Sequence, residues 1–440
     1  MPHTTLGSSS RGDVSLSLDE RVRHVAVIGA TGSGKSNLLR YIARQDIERG
    51  DGLMLLDPLG DLSEAVMGDI PSWRWNHVCF LNAADLEHPV GLNVLEDTHA
   101  DDRARVVDGL VAGMRSIWYE SWGPRLELIL RHACTALIET RNASLVMLPR
   151  LLTDDAFRAR IVSRLSNHDT RNFFGARFEM WRDNFRDEAI DPVLNKVEAF
   201  LAFPSIRNIL GQSSTLDLRY AMQHQRIVIV NLAMGTIGET AARLLGALVL
   251  GHLRAATMAR SSIPPGDRVP FHLICDEAHA FGPASVARLL QETRQFRLSV
   301  TLATQFLDAL TDSTRAALLG NAKTLVSFRC GPGDAEILAR NFNRLHEDFN
   351  TTALLELDDG EAMVTAAGRE AVRVSVPPPA SIGSSDLVKK QSRRHYSRPR
   401  ASVEAYIERQ LGYASLPPVN PAPPTQPSAP QARHRAQPKN

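Results

Sequence analysis

A glycine-rich segment ending in lysine and serine is the clearest candidate for chemistry in this sequence. It fits the pattern GxxxxGK[ST] at every fixed position, and it follows a short apolar run, VRHVAVIG. Glycines let the backbone wrap closely around phosphates, so that N–H groups at a helix start point at them. We therefore predict an ATP site, in which Lys35 reaches the β- and γ-phosphates and Ser36 binds Mg²⁺. The predicted nucleotide-binding residues are Gly29, Ala30, Thr31, Gly32, Ser33, Gly34, Lys35 and Ser36.

An acidic pair is the second candidate, because a phosphate loop needs acidic partners. Asp276 and Glu277 directly follow the apolar run FHLIC. Asp276 would orient Mg²⁺ through water, and Glu277 would act as the general base on the attacking water. Asp57 also ends an apolar run and competes for this role. Since no Glu follows Asp57, we predict a turn or packing role there.

Gln305 closes the next apolar run, LSVTLAT. Strand ends in open α/β sheets face the ligand crevice, so this amide could bind the γ-phosphate or the lytic water. The pattern fits an ordinary exposed Gln at a strand end equally well.

Continuous apolar runs separated by helical patterns indicate the fold class. Such runs are typical of strands buried on both faces of a parallel sheet covered by helices. We therefore predict an α/β fold with a doubly wound, mostly parallel sheet. We also expect a β-hairpin with Asp-Gly turn chemistry within residues 353–376. The predicted strands lie within 22–29, 52–57, 77–82, 226–232, 271–276 and 298–304, and the main helices at 35–48, 239–259 and 284–296.

The chain divides into three parts by composition. Residues 1–99 and 218–380 carry the strand patterns and are predicted to form the nucleotide-binding domain. Residues 100–217 are charge-rich with helical spacing, which predicts an inserted all-α domain. Residues 381–440 are rich in Pro and Arg, which predicts a disordered tail with one short helix near 401–411.

Composition excludes several protein classes. The net charge is +1 and 43% of residues are hydrophobic, which is incompatible with a collagen-like or largely disordered chain. Four cysteines without a CxxC pair exclude a zinc ribbon and a disulfide scaffold. No apolar run reaches the roughly 18 residues of a membrane helix, and the start of the chain lacks a signal peptide's apolar core. We expect a cytoplasmic protein.

Together these motifs resemble the HerA–FtsK superfamily of RecA-like P-loop ATPases that pump DNA. The resemblance runs through about residues 20–375 and is closest to the conjugative coupling proteins of type IV secretion, of the TraG/TraD kind. Those proteins carry an all-helical domain where residues 100–217 stand here. The segments that carry the resemblance include RHVAVIGATGSGKS, LLDPLGDL, WGPRLELILRHACTALIE, HLICDEAHAFG, ETRQFRLSVTLATQ and LGNAKTLVSFRCGPGDAEIL.

The resemblance implies a hexameric ring with ATP between subunits and DNA threaded through the centre. It implies that an arginine finger from the neighbouring subunit completes each site. Arg125, in WGPR, is the candidate in trans, and Arg329, in SFRCG, is a second candidate near the γ-phosphate. Surface ion pairs are the ordinary alternative for both arginines.

One departure from the family leaves the branch open. Many coupling proteins begin with membrane helices, and this sequence shows none. The chain is then either a coupling protein recruited by secretion-channel or relaxosome proteins at the inner face of the membrane, or a HerA-like helicase-translocase working with a nuclease in repair or defence. A third alternative is an ATP-dependent assembly switch that does not move DNA.

Overall fold

The computed structural model describes residues 3–96, 100–342, 350–366, 369–378 and 384–412. All of the named strands join one sheet, in the order β2-β1-β11-β10-β9-β3-β8-β7-β4-β6-β5. They are β1 His3–Ser9, β2 Gly12–Ser17, β3 Val25–Ile28, β4 Gly52–Asp57, β5 Val78–Asn82, β6 Ile227–Asn231, β7 Phe271–Cys275, β8 Leu298–Thr304, β9 Thr324–Ser327, β10 Glu361–Ala366 and β11 Val372–Ser375.

The seven strands from β9 to β5 in this order are parallel. The other four add on antiparallel at the β9 edge. Strands β3, β8, β7 and β4 are direct neighbours, and their carboxyl ends therefore meet at one edge of the sheet. The predicted doubly wound, mostly parallel α/β sheet is confirmed.

Helices cover both faces of the sheet. The helices of the first half are α1 Leu18–Arg21, α2 Lys35–Arg49, α3 Asp61–Gly68, α4 Ala100–Ile117, α5 Pro124–Ile138, α6 Leu148–Thr153, α7 Asp155–Val162, α8 His168–Asn172, α9 Asp183–Leu201, α10 Pro204–Leu210 and α11 Leu218–Gln223. Those of the second half are α12 Met234–Ile237, α13 Glu239–Met258, α14 Pro283–Glu292, α15 Asp312–Asn321, α16 Pro332–Phe342, α17 Thr352–Leu355, α18 Ser385–Tyr396 and α19 Arg400–Leu411.

The central strands are buried on both faces, as their unbroken apolar runs predict. In β3, Val25 and Val27 pack into one core cluster with Leu38 of α2, whereas Ala26 and Ile28 pack into the other. This alternation follows from side chains pointing to opposite faces of a strand. Both sheet faces consequently need helical cover, which α2 and α3 provide on one side and α13 on the other.

The described residues between β5 and β6 form helices and contain no strand. These helices share one apolar core with α13, and the contact of α4 with α13 is the most extensive between any two helices. The division into an inserted all-α domain over 100–217 and a nucleotide-binding domain over 1–99 with 218–380 stays a prediction.

The prediction of a disordered tail over 381–440 is wrong for residues 385–411. Helix α18 packs on the edge strand β5 and on α3, and α19 packs on α10 of the helical region. The hydroxyl of Ser392 accepts a 2.7 Å hydrogen bond from the N–H of Phe80 on the open edge of β5. The predicted short helix near 401–411 is confirmed as α19. Residues 413–440, with the proline-rich part of the prediction, lie outside the described residues.

The segment 385–411 is polar on average, but its two helices, α18 and α19, are each apolar on one face. The buried apolar residues of these faces are at most 5% exposed: Val388 on α18, and Val403, Ile407 and Leu411 on α19. They supply the apolar contacts that the average composition of the segment does not predict. A few apolar residues at helical spacing suffice when a preformed surface is ready to receive them.

The predicted hairpin within 353–376 is formed by β10 and β11, but its turn differs. The Asp-Gly pair, Asp359 and Gly360, precedes β10 and lies over the phosphate loop instead of joining the two strands. The hairpin β1–β2 was not predicted, because the short, polar strands at the start of the chain lack a long apolar run.

The sequence predicts neither a disulfide scaffold nor a membrane helix. All four cysteines are free and buried. No helix of the described ranges has the length and apolar character that crossing a bilayer requires.

Candidate functional site

The phosphate loop connects β3 to α2 at the shared edge of the four central strands. Gly32 and Gly34 adopt φ of 79° and 117°, the left-handed region that favours glycine. A Cβ at Gly34 would lie 2.9 Å from the Phe328 ring and 3.1 Å from Cα of Gly360. Glycine at this position therefore satisfies both a backbone angle and a packing limit, and it lets the loop turn tightly into α2.

Lys35 is the first residue of α2 and is buried beneath the loop. Its ammonium donates to the carbonyl oxygens of Gly29, at 2.7 Å, and Ala30, at 3.1 Å. Burial lowers the pKa of Lys35, and the nearby carboxylates of Glu277 and Asp276 oppose this effect. The structure therefore brings the predicted lysine and the predicted acidic pair into one electrostatic cluster.

Asp276 and Ser36 form an oxygen-donor pair. Asp276 follows β7, is 8% exposed, and lies with one carboxylate oxygen 3.3 Å from the Ser36 hydroxyl. Burial first, then the charges of Glu277 and Asp57, raise the pKa of Asp276 to about 6. A buried carboxylate that is costly to ionise, beside a hydroxyl, is a donor set that suits Mg²⁺.

Glu277 lies between the polar side chains of Gln305 and His279. The amide of Gln305 donates a 2.8 Å hydrogen bond to one carboxylate oxygen, and Nδ1 of His279 lies 3.3 Å from the other. Burial raises the pKa of Glu277, but His279, Gln305 and the charge of Lys35 together lower it, and the net shift is downward. Glu277 also has φ of 47°, an uncommon backbone angle for glutamate.

Asp57, the competing acidic candidate, organises a turn. One of its carboxylate oxygens accepts from the N–H groups of Leu59 and Gly60, and the other from that of Ser63, at 2.7 to 3.0 Å. With its oxygens committed to the start of α3, Asp57 has the turn role that the sequence predicts. Its charge still contributes to the raised pKa of Asp276.

Arg329 lies beside the phosphate loop of its own chain. Its carbonyl oxygen accepts a 2.8 Å hydrogen bond from the Ala30 N–H, and its guanidinium pairs with Asp359 at 2.8 Å. The next residue, Gly360, donates its N–H to the carbonyl of Ser33 at 2.9 Å. The segments before α16 and before β10 therefore form one wall of the loop.

Arg125 is not brought to this cluster. It lies exposed on the first turn of α5 in the helical region, with its guanidinium 4.7 Å from the centre of the Phe185 ring. The remaining predicted residues, from Gly29 to Ser36 with Asp276, Glu277 and Gln305, meet at one edge of the sheet.

Sequence reasoning missed three residues that shape the site. His279 contacts Glu277, and its place three residues after Asp276 in the segment DEAH was an available signal. Phe328 packs against the glycines of the loop, and the buried carboxylate of Asp334 accepts from the Leu307 N–H at 3.1 Å. Asp334 thereby anchors the segment that follows Gln305. Nothing in the local sequence marks Phe328 or Asp334.

Comparisons with known proteins bear on the family and on the fold. The family described as the central domain of helicase HerA matches residues 4–253. A search of curated proteins finds no match.

Solved structures share the fold over most of the chain. The plasmid coupling protein TrwB, in complex with a non-hydrolysable ATP analogue, has a TM-score of 0.61 at 21% identity, covering 83% of this chain and 88% of that one. TrwB with ADP and Mg²⁺ has a TM-score of 0.57 at 19% identity, covering 83% and 88%. VirB4 of Thermoanaerobacter pseudethanolicus has a TM-score of 0.57 at 13% identity, covering 85% and 96%. These likenesses confirm the RecA-like fold, and the match over residues 4–253 shows that the chain belongs to the family of the HerA helicase central domain.

Proposed function

We propose that this protein is an ATP-driven DNA translocase that couples ATP hydrolysis to DNA movement in conjugative, type IV secretion-related transfer. The observation that carries the proposal is the pairing of Gln305 with Glu277 beside the phosphate loop. A base oriented by an amide, next to a buried lysine and a candidate Mg²⁺ ligand, is an arrangement suited to phosphoryl transfer to water. The family and the shared fold with TrwB support the coupling to DNA.

In this proposal each residue has a defined role. The loop N–H groups and Lys35 would bind the phosphates. Ser36 and Asp276 would hold Mg²⁺, which would neutralise phosphate charge. The pKa of Glu277 is lowered despite its burial, so burial does not neutralise the carboxylate, which would accept a proton from water. The water oxygen then forms a bond to the γ-phosphorus, the bond to the bridging oxygen breaks, and ADP and phosphate leave.

Gln305 orients this step and reports its outcome. Its amide donates to Glu277 in the structure. We propose that the same amide also binds the γ-phosphate or the lytic water. Loss of the γ-phosphate would remove one hydrogen-bond partner of Gln305, and the segment that follows Gln305 would then move. We propose this as the route from hydrolysis to movement.

The proposed assembly is a homohexameric ring around DNA. Arg125 acts in trans on the nucleotide of the neighbouring subunit, and its exposed position on the helical region, away from its own phosphate loop, is compatible with that role. Arg329 acts on the nucleotide of its own subunit, beside the loop that its carbonyl contacts. Secretion-channel and relaxosome proteins would recruit the ring from the cytoplasm to the inner face of the membrane.

A second candidate is a HerA-like helicase-translocase that works with a nuclease. The match to the HerA central domain favours it, because that match extends over residues 4–253. The nucleotide chemistry is the same in both candidates, and they differ in the partner that brings DNA to the ring.

The test is DNA-stimulated ATP hydrolysis by the full chain. We expect turnover to rise when single- or double-stranded DNA is added, and Glu277→Gln to remove both basal and stimulated turnover. Glu239→Gln, an exposed glutamate paired with Arg243 on α13, is the matched control and should behave as wild type. Hydrolysis that is indifferent to both forms of DNA would instead indicate an assembly switch.

A further inference from the structure

Arg125 differs from its neighbouring arginines in its partners. Within the described part of the chain, no carboxylate lies within ion-pair distance of Arg125. Arg115 and Arg131, on either side of it, both pair with Glu127, at 3.4 and 3.2 Å. An exposed guanidinium without a carboxylate keeps its N–H donors and its charge available for an anion from another molecule.

An aromatic ring supports the guanidinium of Arg125. Its central carbon lies 4.7 Å from the centre of the Phe185 ring on α9, within the range of a cation–π contact. Phe185 is itself held edge-on by Trp181, at 5.3 Å between ring centres, and Trp181 packs against the buried Phe178 at 5.2 Å. Phe185 is 39% exposed and Phe178 is buried, so this row of aromatic rings runs from the protein surface into the core.

A carboxylate fixes the turn from which Arg125 projects. Glu127 accepts a 2.8 Å hydrogen bond from the indole N–H of Trp122, and its own N–H donates to the carbonyl of Gly123 at 3.0 Å. These bonds close the turn WGPR around Pro124, which begins α5. The same carboxylate also occupies the two competing arginines, which leaves Arg125 as the unpaired cation of this turn.

We infer that Phe185 and Glu127 are positioning residues for Arg125. Phe185 orients the guanidinium of Arg125, and Glu127 fixes the backbone turn before it. The guanidinium is therefore already oriented when it meets a phosphate of the neighbouring subunit's nucleotide. Preorganisation of this kind lowers the cost of bringing a flexible side chain into the transition state. The inference rests on the proposed role of Arg125 in trans.

Phe185→Ala gives the first test, with Phe203→Ala as the matched control, since Phe203 is 38% exposed on the same helical region. We expect Phe185→Ala to lower kcat about two- to fivefold, the effect of losing an exposed cation–π contact, without changing the Kd of ATP. Phe185→Tyr should retain activity because the ring remains. Glu127→Ala should lower kcat similarly. Phe185→Ala should add little to Arg125→Ala, because both act on one interaction.

Mixed rings separate positioning in trans from a structural role. Subunits with Phe185→Ala, combined with Glu277→Gln subunits, should recover turnover above either variant alone, as should Arg125→Ala with Glu277→Gln. The inference is overturned if the Arg125→Ala mixture recovers and the Phe185→Ala mixture does not, or if Phe185→Ala and Phe203→Ala behave alike. Full activity of Arg125→Ala would instead overturn the proposed role of Arg125, which is a different failure.

Discussion

The side-chain amide of Gln305 donates a 2.8 Å hydrogen bond to the carboxylate of Glu277 across 28 residues of sequence. Strands β7 and β8 are parallel neighbours, with Cys275 paired to Leu302, so both side chains emerge at the same sheet edge. The contact joins the proposed base to the side chain that we propose binds the γ-phosphate.

Glu277→Gln should retain ATP while blocking its hydrolysis. The substitution removes the proposed proton acceptor but keeps the shape of the side chain and the proposed Mg²⁺ ligand Asp276, so we expect turnover to fall at least about a hundredfold. Lys35→Ala should weaken nucleotide binding as well, because the phosphates lose their buried ammonium. Binding of a labelled nucleotide, measured beside turnover, separates the two effects. Turnover near the wild-type rate in Glu277→Gln would rule out Glu277 as the base.

Gln305→Ala should slow hydrolysis more than it weakens binding. The substitution removes the side-chain hydrogen bond that orients Glu277, and we expect kcat to fall roughly tenfold or more with little change in the Kd of ATP. Gln391→Ala, a part-exposed glutamine on α18, is the control. Equal losses in kcat and in ATP affinity would show that Gln305 has only a structural role.

Asp276→Asn should stabilise the nucleotide-free protein at high pH. The pKa of Asp276 is raised from 3.8 to about 6 by burial and by Glu277 and Asp57, so the ionised form costs folding energy. Such a group favours the folded state below the unfolded pKa, and this advantage is lost as the pH rises through about 6. The gain from asparagine should reach up to about 3 kcal/mol at pH 8.

Thermal unfolding measured from pH 8 to pH 4.5 tests this sign. The Tm difference between Asp276→Asn and wild type should shrink as the pH falls, whereas the exposed Asp267→Asn should show no such trend. A difference that grows toward low pH would contradict the assigned cause of the shift.

Truncation distinguishes the two parts of the carboxyl-terminal segment. Removal of 413–440 should leave Tm and nucleotide binding unchanged. Removal of 384–440 should lower Tm, because it exposes the surfaces that Val388 and Ile407 cover, at roughly 1.5–3 kcal/mol for each buried side chain. Equal Tm values for both truncated proteins would mean that α18 and α19 contribute nothing to stability.

A point substitution examines the edge contact alone. Ser392→Ala should cost about 1 kcal/mol, because the N–H of Phe80 loses its acceptor. The exposed Ser402→Ala is the matched control and should have no effect.

The sequence predicts those parts of the fold and of the site that depend on a local sequence pattern. The runs that became β3, β4, β5, β6, β7 and β8 are long, apolar and bounded by turns, and their strands lie where they were expected. Parallel packing also placed Asp276, Glu277 and Gln305 at one edge of the sheet. These predictions succeed because a strand buried on both faces of the sheet is an almost unbroken run of apolar residues.

The contacts that were missed are set by tertiary structure. Asp334 anchors the segment after Gln305 from a helix that begins beyond β9, and Phe328 reaches the phosphate loop from the end of β9. Helix α18 is polar on average and folds because the open edge of β5 offers it a surface. The proposed role of Arg125 likewise depends on contacts with a second subunit, which the local sequence around Arg125 does not specify.

The most direct test of the central claim is ATP-dependent displacement of a bound obstacle from DNA. The substrates are a duplex carrying a triplex-forming strand and a single strand carrying streptavidin on a terminal biotin. The account predicts that wild-type protein displaces at least one of these obstacles when ATP is present, and that Glu277→Gln displaces neither. Robust, DNA-stimulated ATP hydrolysis without displacement of either obstacle would contradict it.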